Sequence, residues 1–139
     1  MIQYPELKFF TDGGSRGNPG PAASGVVILT MNDEVIEAFG QYWGETTNNQ
    51  AEYRAIRLAM EAVAKYEPTR VHGYMDSELA VKQLNGIYKV KNIDIRPIFH
   101  DIVSLAGKYN TTFEHVYRAQ NKLADAQVNI AIDKALGLK

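Results

Sequence analysis

The feature that most restricts the fold of this chain is the order in which its hydrophobic periodicity changes. Three strand-like runs come first: residues 6–12, then GVVILTM and EVIEAFGQYW on either side of the turn-forming pair Asn32-Asp33. A helical pattern fills 49–66 and stops before Pro68. RVHGYMD reads as a fourth strand, and SELAVKQLNG as a short helix closed by Gly86. Another helix is predicted over 97–109, a fifth strand in TFEHVYR and a last helix over 121–136. The order β-β-β-α-β-α-α-β-α predicts an α/β chain with a mixed sheet and helices packed on it. The first and fourth strands, separated by a helix, are parallel if they are neighbours.

Bulk properties narrow the classes of function. No repeat or low-complexity tract divides the 139 residues, so one domain over 1–139 is expected. A formal net charge of −1 gives a polyanion no general attraction, so any nucleic-acid binding must come from local groups. The absence of cysteine excludes disulfides and thiolate metal sites, and suits a reducing compartment. The longest apolar runs, such as GVVIL, are too short to span a bilayer, and MIQYPELK has no basic region leading into an apolar core. A cytoplasmic setting without membrane association is expected.

Four carboxylates stand in costly places. Glu52 shares its helical face with Ile56, Ala59 and Val63, all within about 40° of it at 100° per residue. Arg54, Arg57, Glu61 and Lys65 take the opposite face. Glu52 therefore points with the core stripe, where an unpaired charge is expensive; a capping box with Asn49 is the alternative reason for its position. Asp12 and Asp76 each follow an apolar strand, as a turn residue or helix cap does. In parallel neighbouring strands, however, both lie at the sheet edge where open α/β folds bind ligands. Asp125 shares the face of Val128, Ile132 and Leu136, and favourable placement at a helix N-terminus also accounts for it. Carboxylates that converge repel one another unless a cation sits among them. An oxygen-only donor set favours Mg²⁺ or Mn²⁺, and the chemistry suggested is metal-dependent phosphodiester hydrolysis.

The segments FTDGGSRGNPGPAASGVV, TTNNQAEYRAI, YMDSELAVKQLNG and HVYRAQNKLADAQVN are similar, in this order, to the type 1 ribonuclease H family. The likeness runs from about Lys8 to Ala135, and each block carries one of the four carboxylates. It implies a ribonuclease H-like fold, a five-stranded mixed sheet flanked by helices. It implies an endonuclease, active as a monomer, that cuts the RNA strand of an RNA–DNA hybrid and leaves 5′-phosphate and 3′-hydroxyl ends. Two Mg²⁺ ions (or Mn²⁺) are implied with substrate bound: Asp12 and Asp76 bridge both, Asp125 helps hold the water-activating ion, and Glu52 the other.

The resemblance also assigns substrate contacts. Four glycines and two prolines within residues 13–21 suggest a loop after Asp12 whose bare backbone meets ribose 2′-hydroxyls. Gly13, Gly14, Ser15 and Asn18 are the RNA-side residues there. Asn48, Asn49 and Gln50 are assigned to the minor groove, and Thr47 with Asn92 to a DNA phosphate. Ser77 and Asn121 are assigned as hydrogen-bonding supports of neighbouring carboxylates, with helix capping as the structural alternative.

Two departures from the family are visible. NGIYKVKNID joins helix to motif directly, where many bacterial members insert a basic protrusion; Lys82, Lys89, Lys91 and Arg96 leave a modest basic bias. Weak, steeply salt-dependent hybrid binding is expected. The loop between the last strand and last helix has no histidine; Arg118 and Lys122 are its cations, and His72, His100 and His115 read as structural. Turnover or metal preference is therefore expected to differ from histidine-bearing relatives.

Overall fold

A computed structural model describes residues 4–138; residues 1–3, where the stretch read for a secretion signal begins, lie outside it. Strands β1 (Glu6–Ser15), β2 (Gly20–Thr30), β3 (Val35–Thr46), β4 (Arg70–Met75) and β5 (Thr111–His115) form one sheet in the order β3-β2-β1-β4-β5. The pairs β1/β2 and β2/β3 are antiparallel, and β1/β4 and β4/β5 are parallel, which is the mixed sheet expected. Helices α1 (Asn48–Ala64), α2 (Glu78–Leu84), α3 (Arg96–Lys108) and α4 (Lys122–Ala135) complete the chain, with a 3-10 turn at Arg118–Gln120. No described helix is long and apolar enough to cross a membrane.

The two-residue alternation of the strands sorts the core into two layers. Leu7 and Phe9 of β1, Val26 and Ile28 of β2 and Val71 and Met75 of β4 pack with Tyr53, Ile56, Met60 and Val63 of α1 and Ile98 and Ile102 of α3. Each fully buried side chain of this size contributes about 1.5–3 kcal/mol of transfer free energy, enough to hold α1 against the sheet. On the opposite face α4 seats Val128 and Ile132 against Ala23, and Ala124 against Val27 and Leu29.

Several boundaries differ from the sequence reading. The first strand does not stop at Asp12: it continues to Ser15, paired with Ala22, so the glycine-rich stretch is a hairpin closed at residues 16–19. Glycine lies in this strand because another backbone crosses it. A Cβ on Gly13 would stand 2.3 Å from Ala51 C and Glu52 N. The space that a side chain at Gly13 would need is thus filled by α1. Helix α1 starts earlier than expected, because Thr47 is its N-cap and accepts the Gln50 N–H at 3.2 Å. The Asn49–Glu52 capping box therefore does not explain Glu52. β5 ends at His115 rather than at residue 118, although the Val116 N–H still reaches Met75 O at 2.9 Å.

Candidate active site

Parallel pairing of β1 with β4 sets Thr11 opposite Met75, so the next residues, Asp12 and Asp76, emerge side by side. Glu52 lies in the early turns of α1, where that helix crosses Gly13. Asp125 lies in the first turn of α4. α4 is fixed there by close backbone contact: a Cβ on Gly25 of β2 would come within 2.2 Å of Ala124 O. Four elements thus deliver Asp12, Glu52, Asp76 and Asp125 to one cavity of about 360 Å³, which Gly14, Ser15, Asn48 and Arg118 also line.

The electrostatics show the cost of this arrangement. Burial pushes the Asp12 carboxyl up to about 8, with further upward pressure from the Asp76 charge, a hydrogen bond with Asp125, and the Asp125 and Glu52 charges. Burial also pushes Glu52 up to about 7; hydrogen bonding by Ser77 opposes this and the Asp76 charge adds to it. The donor set is acidic and oxygen-only, so its chemistry fits a hard divalent cation. Among the described residues no three acidic, imidazole or thiol side chains are arranged to hold one ion between them.

The supporting residues divide. Ser77 caps α2, accepting the Ala80 N–H at 3.2 Å, as well as acting on Glu52. Asn121 is buried and makes no side-chain cap; its Nδ2 donates to Thr11 O at 2.9 Å, tying the start of α4 to the residue before Asp12. Asn48 Oδ1 accepts from Ser15 N (2.7 Å) and Ser15 Oγ (3.1 Å), and the Asn48 N–H donates to Asn18 Oδ1 at 3.1 Å. Asn18 therefore braces the hairpin, and its side chain does not line the carboxylate cavity.

Other assigned residues lie away from the carboxylates. Gln50 lines a separate groove of about 620 Å³ with Trp43, Thr46, Arg54, Arg57 and Asp94. Thr47 is engaged as a helix cap, Asn49 lies half-buried at the start of α1, and Asn92 Oδ1 accepts the Asp94 N–H at 2.8 Å ahead of α3. Sequence reasoning missed Arg16 and Asn129, both of which line the carboxylate cavity. The available signal was the spacing of Asp125, Asn129 and Asp133, which places three polar groups on one stripe of α4.

Comparison with known proteins bears on what this cavity does. The reverse transcriptase-like family model matches residues 10–131. A bifunctional protein of Mycobacterium tuberculosis is 40% identical over 126 residues, covering 89% of this chain and 35% of that protein. The chain thus spans about a third of the length of that relative. A ribonuclease H of a Polaromonas species is 32% identical over 151 residues, covering 95% of this chain and 91% of that one. Among solved structures, LC11-RNase H1 in complex with an RNA/DNA hybrid superposes with a TM-score of 0.89 at 42% identity, covering 94% of this chain and 99% of that one.

Proposed function

This chain belongs to the ribonuclease H family, and on that premise we propose that it is an endonuclease cutting the RNA strand of RNA–DNA hybrids, leaving 5′-phosphate and 3′-hydroxyl ends. The observation that carries this reading is the delivery of four carboxylates, from four separate elements, to one cavity. A nucleic-acid phosphate is itself anionic, so a cavity this acidic suits it only with cations between. Asp12, Glu52, Asp76 and Asp125 would hold two Mg²⁺ or Mn²⁺ ions with substrate bound. Such ions, when bound, balance the carboxylate charge, make water a better nucleophile and stabilise the departing oxygen.

The remaining work falls to the chain's own groups. The Gly13 N–H donates to Asp12 Oδ1 at 3.0 Å and orients that carboxyl. Hydrogen bonding by Ser77 favours the ionised form of Glu52. Asn121 keeps the start of α4, and with it Asp125, in fixed relation to β1. Ser15, Asn48 and the Gly14 backbone line the cavity beside the carboxylates, where polar groups can meet ribose 2′-hydroxyls without reading bases. A monomer acting in the cytoplasm is part of the same proposal.

The test is cleavage of an end-labelled hybrid, with and without Mg²⁺ or Mn²⁺, beside double-stranded RNA and with the Asp12→Asn protein in parallel. Metal-dependent cutting of hybrid RNA, lost in the variant, is expected. Equal cutting of double-stranded RNA replaces the hybrid-specific reading with a broader nuclease. Hybrid bound but uncut with either metal leaves a binding module.

A further inference from the structure

The tip of the β1–β2 hairpin is fastened on both sides of the cavity. On the α1 side the fastening is Ser15–Asn48–Asn18. On the α4 side the Arg16 guanidinium donates to Asn129 Oδ1 at 3.2 Å and pairs with Asp133 Oδ1 at 2.7 Å. Asp125, Asn129 and Asp133 fall at i, i+4 and i+8 on α4, and Asn129 Nδ2 donates to Asp125 O at 3.2 Å. Arg16 therefore grips the two turns of α4 that follow the one carrying Asp125.

The placement of Asp133 needs a reason. It lies near the C-terminal end of α4, where the exposed carbonyls make an acid unfavourable. The cation from Arg16 offsets that, and its planar fork can serve Asp133 and Asn129 at once.

We propose that Arg16 is a positioning residue: with Asn129 and Asp133 it latches the hairpin tip to α4, and so holds Ser15 and Asn48 at the spacing from Asp125 that the RNA strand requires. The latch rests on the ribonuclease reading for its substrate. It differs in sign from an arginine that lets go of Asp133 to take a phosphate. Removing the Asp133 charge loosens a latch and weakens binding, whereas it frees a phosphate-seeking arginine and strengthens binding.

The experiment compares wild type with Arg16→Ala, Asp133→Asn and the charge-reversed double variant Arg16→Asp/Asp133→Arg. For both single variants KM for hybrid is expected to rise about threefold to fivefold, the size of a half-exposed ion pair, with kcat within about twofold of wild type. The double variant is expected to recover most of the loss. A lower KM in Asp133→Asn, or identical KM in all four proteins, overturns the latch. Amide hydrogen exchange without substrate separates the two readings, because the Arg16 N–H is bonded to Pro21 O across the hairpin. Faster exchange at the position 16 amide in both single variants, relative to the intrinsic rate of the residue there, supports the latch, and unchanged exchange overturns it. Faster exchange in a protein that neither binds nor cuts hybrid keeps the fastening and overturns the substrate given to it.

Discussion

At Asp12 the backbone places a carboxyl where three others crowd it and solvent is partly excluded, and its pKa rises to about 8. In the unfolded chain the same group titrates near its ordinary value of 3.8, so between those values the metal-free folded state binds more protons than the unfolded one. The contribution of this carboxyl to stability is therefore greatest below about pH 4 and falls as pH climbs toward 8, and Glu52, pushed up to about 7, adds to the slope. Thermal melts in EDTA across pH 4–8 check this. Asp12→Asn removes one of the crowded charges, so the metal-free variant is expected to be about 1–3 kcal/mol more stable than wild type at pH 8. Mg²⁺ is expected to raise the melting temperature of wild type and to do much less for the variant, since the cation stabilises by relieving that repulsion. Equal stability of both proteins in EDTA contradicts this account.

At the scale of elements, close crossings set the site. Gly25→Ala puts a methyl 2.2 Å from the Ala124 carbonyl, a backbone atom that cannot rotate away. The expected cost is about 1–3 kcal/mol, together with loss of cleavage because α4 carries Asp125 with it. Gly14→Ala is the stability control: its methyl meets only Val128 Cγ1, at an ordinary 3.5 Å. Denaturant unfolding of the two variants separates them. Thr47→Ala removes the α1 cap and is expected to cost about 1 kcal/mol by the same measurement. Much of this level is legible in the sequence. The stripe of Glu52, Ile56, Ala59 and Val63 does face the sheet, and the helix-separated first and fourth strands are parallel neighbours. The extension of β1 to Ser15 was hidden because glycine carries no side chain to show a two-residue alternation. Thr47 rather than Asn49 caps α1 because the cap depends on where the chain leaves β3, which composition does not reveal.

For the whole molecule, a net charge of −1 leaves association with a polyanion to local cations. If two or three phosphates are neutralised, hybrid affinity is expected to fall about tenfold to fortyfold between 50 and 200 mM salt. Filter binding or fluorescence anisotropy across that range measures it, and a flat response counts against phosphate contacts by Lys82, Lys89, Lys91 and Arg96. The sequence by itself determined which residues carry charge, which faces are apolar and which segments are strands or helices, because period and side-chain chemistry are local properties. It also marked all four carboxylates that line the cavity. Only the tertiary structure decided that α1 fills the space beside Gly13, that Asn121 bonds the Thr11 carbonyl, and that Arg16 reaches Asn129 and Asp133 on the last helix. Those contacts join segments far apart in the chain, and they depend on sheet register and on how closely two backbones pass, which no local pattern of residues specifies.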